Sequence, residues 1–186
     1  RHAVLAALPE PPVSGDRARS RAPGLALDSP GGADPQAPRI LLLGRIDVVG
    51  AATPGTPRRG RSLELLAYLC LHPGATPAEI DEALWPGERA TADMRNSLMS
   101  RTRTWLGTHE DGEPFLSNIT PTGGYRLHPA VSSDWHDFLE LSRRGLRDVD
   151  NSVGELERAL GLVRARPFLG IDPATFSWAE ADAQEM

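Results

Sequence analysis

The spacing of apolar residues changes several times along this chain, and each change predicts a different element. Apolar and polar residues alternate around positions 40, 42, 46 and 48, as expected of two short half-buried strands separated by Gly44. From Arg61 to Leu71 the spacing becomes helical, and the predicted apolar face comprises Leu63, Leu65, Leu66, Ala67, Leu69 and Cys70. The segment His72-Pro73-Gly74 then ends this first helix.

Two further helices follow at the short spacing of a helix–turn–helix pair. Thr76-Pro77-Ala78-Glu79 combines an N-cap threonine, a proline at the first helical position and a reciprocal glutamate. This second helix should bury Ile80, Ala83 and Leu84. A third helix is predicted over 91–106, with Gly107 as a left-handed C-cap. On a helical wheel its inward face comprises Met94, Leu98, Thr102 and Trp105, and its outward face comprises Arg89, Asn96, Ser100 and Arg103.

A β-hairpin is predicted after the third helix. Phe115-Leu116 begins one strand, residues 120–124 form a glycine-rich tip, and Tyr125-Arg126-Leu127 forms the returning strand. Three helices with β-hairpins predict a winged helix-turn-helix over 39–130. In helix–turn–helix proteins one helix enters the DNA major groove, and a wing can contact a phosphate or the minor groove.

After residue 130 the pattern is purely helical, which makes the predicted fold class α+β. Capping sequences begin at Ser133, Ser152 and Ser177, and the last helix is cut short at Met186. We therefore expect residues 131–186 to be the first part of a truncated all-α module in a longer protein. Its predicted inward residues are Trp135, Phe138, Leu139, Leu146, Leu156, Leu160 and Val163.

Residues 1–38 have a different composition, dominated after position 8 by Pro, Gly, Ala and Ser. A segment with so few large apolar side chains buries too little surface to offset its conformational entropy. We predict a disordered linker over 1–38.

Charge changes the picture because the net charge of −5 argues against a simple nucleic-acid binder. The excess of negative charge is local, since residues 39–127 carry ten Arg and ten acids whereas residues 128–186 carry six Arg and eleven acids.

The lone Cys70 predicts a small buried hydrophobe in a reducing compartment. No apolar run approaches the ~20 residues of a membrane span. We expect a cytoplasmic domain, and whether a membrane anchor lies elsewhere in the full-length protein stays open.

Candidate DNA-binding residues lie on the third helix and in the wing. Asn96 and Ser100 are placed to reach base edges, where Asn can pair with adenine. Arg95 and Arg101 flank the apolar stripe, and Arg103 points outward, which makes Arg103 the first choice for direct contact. Arg58, Arg59 and Arg61 precede the first helix, where they either steer DNA or form a solvated loop.

The motifs LELLAYLCLHPG, EIDEALWP, SRTRTWLG, GGYRLHP, VSSDWHDF and ALGLVRARPFLGIDPATFSWAEA together resemble actinobacterial regulators of the SARP type. Such regulators join an OmpR-type winged helix to a TPR-like bacterial transcriptional activator domain, and the resemblance covers 39–186. It implies transcriptional regulation, with the third helix in the major groove. Arg101 and Arg103 match the arginine pair that ends the recognition helix, and Arg126 matches the wing arginine.

This chain departs from most relatives at two positions of the third helix. It has Thr102 where most relatives have Leu, and Trp105 where they have a small residue. The SRTRTWLG variant is similar to a subgroup found at the C-terminus of LysM-containing membrane proteins.

An enzyme is the least favoured class, because the five histidines are scattered without metal-ligand spacing. The chain also lacks a glycine-rich phosphate loop and a nucleophile elbow. We therefore expect no catalytic residues, cofactor, metal or small-molecule substrate. Double-stranded DNA is the expected partner, and the short polar patch predicts weak binding unless a homodimer occupies tandem half-sites.

The competing hypothesis is a winged helix that has become a protein-docking module, since fold does not fix function. The neutral balance of 39–127 and the acidic C-terminal part both favour it, and the helical module would then hold the protein partner. A docking surface should expose apolar residues on the third helix, not Arg, Asn and Ser.

Overall fold

The computed structural model describes residues 37–52, 60–121, 123–147, 152–171 and 177–186. All but the end of the predicted linker lies outside the described residues, as do Arg58 and Arg59. The described elements are β1 (Arg39–Leu41), β2 (Asp47–Val49), α1 (Gly60–Leu71), α2 (Pro77–Leu84), α3 (Ala92–Leu106), β3 (Ser132–Ser133), α4 (Asp134–Arg147), α5 (Ser152–Gly161) and α6 (Ser177–Glu185). The fold is of the predicted α+β class, a winged helix followed by a helical module.

Strand β1 is the centre of a three-stranded sheet with the order β2-β1-β3. It pairs antiparallel with β2, with Ile40 opposite Val48, and parallel with β3, with Ile40 also opposite Ser133. The predicted alternation is confirmed, because the apolar residues at 40, 42, 46 and 48 are all buried. Since β3 leads directly into α4, the sheet connects the winged helix to the helical module.

Helices α1 and α2 form much as the sequence predicts. The Thr76 side chain accepts from the Glu79 amide at 3.3 Å, and the Glu79 carboxylate accepts from the Thr76 amide at 2.8 Å. This capping box satisfies two amides of the first turn of α2. The predicted α2 residues are buried, and in α1 the fully buried leucines are Leu65, Leu66 and Leu69.

Helix α3 buries Leu98, Thr102 and Trp105, which confirms three of its four predicted inward residues. Met94 is 41% exposed, because it lies in the first turn beside a surface groove next to Trp85. The fully buried Thr102 hydroxyl donates to the buried Ser62 hydroxyl at 2.9 Å. This bond joins α3 to α1, and a leucine at position 102 would leave the Ser62 hydroxyl without this partner.

The wing forms where the sequence predicts a hairpin, and its returning arm also pairs with a second segment. Its arms pair at Leu116 and Leu127, with hydrogen bonds from Ser117 N–H to Arg126 O and from His128 N–H to Phe115 O, both 2.9 Å long. Tyr125 pairs with a different segment: its amide donates to Ala75 O, and its carbonyl accepts from Gly74 N–H, both at 2.9 Å. The returning arm is therefore held by the α1–α2 turn as well as by its own hairpin.

Helices α4 and α5 pack on each other through Leu141 and Ala159, which are buried together with Leu43 and with Leu162 just after α5. Three residues predicted to point inward are exposed instead: Leu146 (78%), Leu160 (66%) and Val163 (43%). For Leu146 the reason is the close approach of Gly145 to Leu156, whose Cγ would lie 2.8 Å from a Cβ at Gly145. Because Gly145 faces α5, the next residue, Leu146, points about 100° away from this contact around the helix.

Asp134, predicted only as part of a helix cap, is a buried carboxylate with an exposure of 2%. It accepts from the amides of Leu42 at 2.6 Å and Leu43 at 3.1 Å, and from the Arg164 guanidinium at 2.7 Å. The neighbouring Ser133 provides the cap by accepting from the His136 amide at 3.2 Å. Asp134 thus joins the end of β1, the start of α4 and the segment after α5.

The C-terminal part packs back onto the winged helix. Amides of Arg164 and Leu169 donate to carbonyls of Leu43 and Gly44, each at 2.9 Å. In α6, Trp178 lies edge-on to Tyr68 of α1 with ring centroids 5.4 Å apart. Among the described residues, no helix is long and apolar enough to cross a membrane.

Candidate nucleic-acid interface

Six residues of α3 lie on one solvent-exposed face at helical spacing, and we call them the α3 polar face. They are Asp93, Asn96, Ser97, Ser100, Arg101 and Thr104. Five carry short polar side chains and the sixth is an arginine. A shallow groove beside this face is lined partly by Arg61, Trp85 and Met94. Short polar side chains let a helix approach base edges closely, and a guanidinium can bind a phosphate or guanine.

Three of the predicted site residues, Asn96, Ser100 and Arg101, are brought together on this face. Arg101 is fully part of it, not on a flank, and its Nε–H donates to the Ser97 carbonyl at 3.2 Å. Ser97 and Thr104 were missed because the predicted wheel was centred on the side of Arg103. The signal was present in the sequence, since these polar residues continue the spacing that starts at Asp93.

Arg103 does not point outward, which corrects the orientation predicted from the wheel. Its Nε–H donates to the Leu116 carbonyl and its terminal nitrogen donates to the Ser117 carbonyl, both at 2.9 Å. The hairpin folds over this side of α3, and its unpaired carbonyls attract the guanidinium. Arg103 therefore holds the first arm of the wing against the end of α3.

Arg95 and Arg126 also lie away from the α3 polar face. Arg95 forms an ion pair with Asp81 of α2 and is 14% exposed at its side chain. Arg126 extends over the α1–α2 turn, where its Nε would lie 3.4 Å from a Cβ on Gly74. Its groove is shared with His136 and Glu140 of α4. The wing arginine thus lies between the winged helix and the helical module.

Arg61 belongs to α1 and does not precede it, contrary to the prediction. Its guanidinium donates to the Leu84 carbonyl and lies 5.8 Å from the centre of the Trp85 ring. Arg61 therefore ties α1 to the end of α2 at one side of the groove, and its side chain is 38% exposed. A cation held in this way adds positive charge beside the α3 polar face.

Glu64 lies one turn after Arg61, and burial shifts the pKa of its carboxyl group. Its side chain is 14% exposed, and its Oε2 lies 3.6 Å from the Arg61 guanidinium. Burial raises the pKa of Glu64 from 4.5 to about 7, although the nearby Arg61 charge opposes the rise. A carboxyl that binds its proton more tightly in the folded state stabilises the fold at low pH.

Glu64→Gln should therefore flatten the dependence of stability on pH. The contribution of the Glu64 proton is fully present below 4.5 and is lost as the pH rises through about 7. The free energy of unfolding of the variant, relative to that of the parent, should therefore be higher at about pH 8 than at about pH 5. Urea unfolding at the two pH values measures this difference. Glu82→Gln, at an exposed position of α2, is the matched control and should show no such difference. If the variant differed from the parent by the same free energy of unfolding at both pH values, the ionisation of Glu64 would not be the cause of the difference.

Cys70 is packed against the hydrophobic core, as the sequence predicts. Burial raises the pKa of the Cys70 thiol to about 12, so that almost no reactive thiolate exists at neutral pH. The side chain therefore acts as a small apolar group.

Comparison with solved structures places this fold among known proteins. The chain is similar to Mycobacterium tuberculosis EmbR, solved in complex with a low affinity phosphopeptide, with a TM-score of 0.61 and 23% sequence identity. The likeness covers 80% of this chain, which spans 41% of the EmbR chain. No family model matches the chain, and no curated protein matches it. What this chain shares with EmbR is therefore the fold, a winged helix followed by a helical module, which is also the architecture implied by the resemblance to SARP-type regulators.

Proposed function

We propose that this chain is a DNA-binding regulator of transcription, of the SARP type, that places α3 in the major groove. The observation that carries the proposal is the α3 polar face. Its six residues are polar or charged, and Met94, 41% exposed, is a large apolar side chain beside them, so most of this face matches base edges and phosphates better than it matches a protein surface. Helix–turn–helix proteins present the corresponding helix to DNA.

The residues of the face divide into two roles. Asn96 can bind adenine through both amide atoms, and Ser97 and Ser100 can donate to or accept from either base of a pair. Arg101 follows on the same face and contacts a phosphate or a guanine. Asp93 lies in the first turn of the same face, about two turns before Arg101, which places its negative charge at one edge of the contact.

Arg95 and Arg103 act as positioning residues in this proposal. The Asp81 ion pair of Arg95 fixes the first turns of α3 against α2. The two carbonyl contacts of Arg103 fix the wing relative to the last turn of α3. Arg126 lies beside the α1–α2 turn, from which it contacts the DNA backbone only at the margin of the interface.

Protein docking is the second candidate function, and one observation favours it. Val153 and Leu160 are exposed by 68% and 66% and lie seven residues apart, on one face of α5. This surface belongs to the helical module and is distant in sequence from α3. A protein partner bound there is compatible with DNA binding by α3, whereas docking through α3 itself would have a small apolar surface at Met94.

Arg101→Ala should weaken DNA binding by about 1–3 kcal/mol and reduce the salt dependence of the affinity, because a guanidinium that neutralises a phosphate releases counterions. The measurement is fluorescence anisotropy of the whole chain on mixed duplex fragments across a salt series. Arg143→Ala, at an exposed position of α4, is the matched control and should bind like the parent.

Arg103→Ala separates positioning from contact. Loss of the wing contacts should lower both the thermal stability and the affinity, whereas Arg101→Ala should lower the affinity alone. Absence of binding by the folded parent at low salt would contradict the proposed function and favour docking. Equal losses for Arg101→Ala and Arg143→Ala would remove the α3 polar face from the interface.

A further inference from the structure

Two histidines and an aspartate that are separated in the sequence meet at the base of the wing. His109 Nδ1 and His128 Nε2 lie 3.0 Å and 3.2 Å from the same oxygen, Asp111 Oδ2. The two imidazole rings are stacked with centroids 4.6 Å apart. One ligand atom from each of the three residues lies within 4.8 Å of the others. Both histidine side chains are largely buried, with exposures of 17% and 16%.

The backbone holds these three side chains in place. His109 N–H donates to the Glu113 carbonyl at 2.8 Å, and Glu113 N–H donates to Asp111 Oδ1 at 2.9 Å. His128 is held by its amide, which donates to the Phe115 carbonyl at 2.9 Å. Because Oδ1 of Asp111 is occupied by a backbone amide, Oδ2 is the oxygen turned towards the two imidazoles. The cluster is therefore preorganised by the hairpin that follows α3.

We propose that His109, Asp111 and His128 bind a divalent transition-metal ion of the zinc class. Imidazole nitrogen and carboxylate oxygen are common zinc ligands, and three protein ligands leave a fourth position for water. In a tetrahedron with bonds of ~2.0–2.1 Å, neighbouring ligand atoms are roughly 3.3 Å apart. The two nitrogen–oxygen distances of 3.0 and 3.2 Å are already close to that separation. The hydrogen bond from Glu113 orients the carboxylate as an outer-shell partner does.

Metal binding requires the proton between each imidazole and Asp111 Oδ2 to move. On His109 the nitrogen facing this oxygen at 3.0 Å is Nδ1, and coordination there leaves the neutral ring with its proton on Nε2. A proton also moves on His128. In the structure the Ala130 amide donates to His128 Nδ1 at 3.2 Å, so the neutral ring carries its proton on Nε2, facing Asp111. Coordination replaces the Nε2 proton with the metal, and the neutral ring then carries its proton on Nδ1. The Ala130 amide loses its acceptor in this exchange. The bound ion would connect the turn after α3 to the end of the wing.

The test is titration of the metal-free whole chain with Zn²⁺ alone. We expect one ion per chain by calorimetry, and a Tm higher by roughly 5 °C at a hundredfold excess over Kd. Asp111→Asn should weaken the affinity by at least about tenfold, as loss of an inner ligand exceeds the effect of losing an outer-shell partner. His136→Gln, at an exposed histidine of α4, is the matched control and should bind Zn²⁺ like the parent.

Two spectroscopic measurements keep the test independent of folding stability. Co²⁺ should give the strong visible absorption of a four-coordinate site in the parent and not in folded Asp111→Asn. Zn²⁺ should shift the Ala130 amide resonance, because its hydrogen bond to His128 is lost. A folded parent that binds no Zn²⁺, or an affinity that is unchanged in Asp111→Asn, overturns the proposal. So does an affinity that disappears in His136→Gln.

Discussion

Replacing Asp134 by asparagine should lower the free energy of unfolding by about 3–5 kcal/mol, because a buried donor left without its acceptor costs about 1–3 kcal/mol and this carboxylate serves two backbone amides and a guanidinium. The carboxylate accepts from the adjacent amides of Leu42 and Leu43 and from Arg164, so that together with Asp134 three separate parts of the chain are joined. An asparagine amide can accept through only one atom, and its NH₂ group would face a donor. Urea unfolding followed by circular dichroism measures the loss.

Two further variants identify the cause of this loss. Arg164→Gln should cost less than Asp134→Asn, because the Leu42 and Leu43 amides still satisfy the carboxylate. Glu140→Gln is the control on α4, where Glu140 is 57% exposed and 3.7 Å from Arg144. An exposed pair contributes at most about 1 kcal/mol. If Asp134→Asn cost no more than Glu140→Gln, Asp134 would not be the link between the sheet and the helical module.

Gly124→Ala should cost about 2–4 kcal/mol, since overpacking and loss of backbone hydrogen bonds add together here. A Cβ at this position would lie 2.0 Å from the Gly74 carbonyl oxygen and 2.7 Å from its carbon. Both are backbone atoms, so no rotamer change relieves the overlap. The returning arm of the wing must move away, which breaks the bonds of Tyr125 to Gly74 and Ala75. Thermal unfolding of the whole chain measures the effect.

Gly154→Ala provides the matched control for this substitution. An added Cβ at Gly154 meets no other described atom within 4 Å, and the residue lies within α5. Alanine is favoured over glycine inside a helix by up to about 1 kcal/mol, so this variant should be neutral or more stable. A Gly124→Ala protein as stable as the parent would show that the wing does not pack against the α1–α2 turn at this distance.

The elements of the fold could be predicted because their signals are local. The capping box at Thr76 and Glu79 and the alternation from 40 to 48 are both properties of neighbouring residues. Errors arose where a second element decides which side of a helix is covered. The contact of Gly145 with Leu156 turned Leu146 outward, although the apolar spacing of α4 alone suggested otherwise.

The candidate site was predicted only in part, for the same reason. The residues Asn96, Ser100 and Arg101 share a face that helical spacing reveals. The partners of Arg95 and Arg103 lie on α2 and in the wing, and spacing within α3 contains no information about them. An arginine with carbonyl or carboxylate partners inside the fold has a different role from an exposed arginine at a neighbouring position.

The sequence by itself determined where the helices and the first two strands form, because caps, turns and apolar periodicity act over a few residues. It did not reveal β3, which exists only because residues 132–133 pair with β1. It also determined that α3 carries short polar residues and arginine. Only the tertiary structure decided which polar groups meet across the chain: Asp134 with the end of β1, Arg103 with the wing, and His109 with His128. These contacts join residues from 13 to 92 positions apart, and their formation depends on how the elements pack.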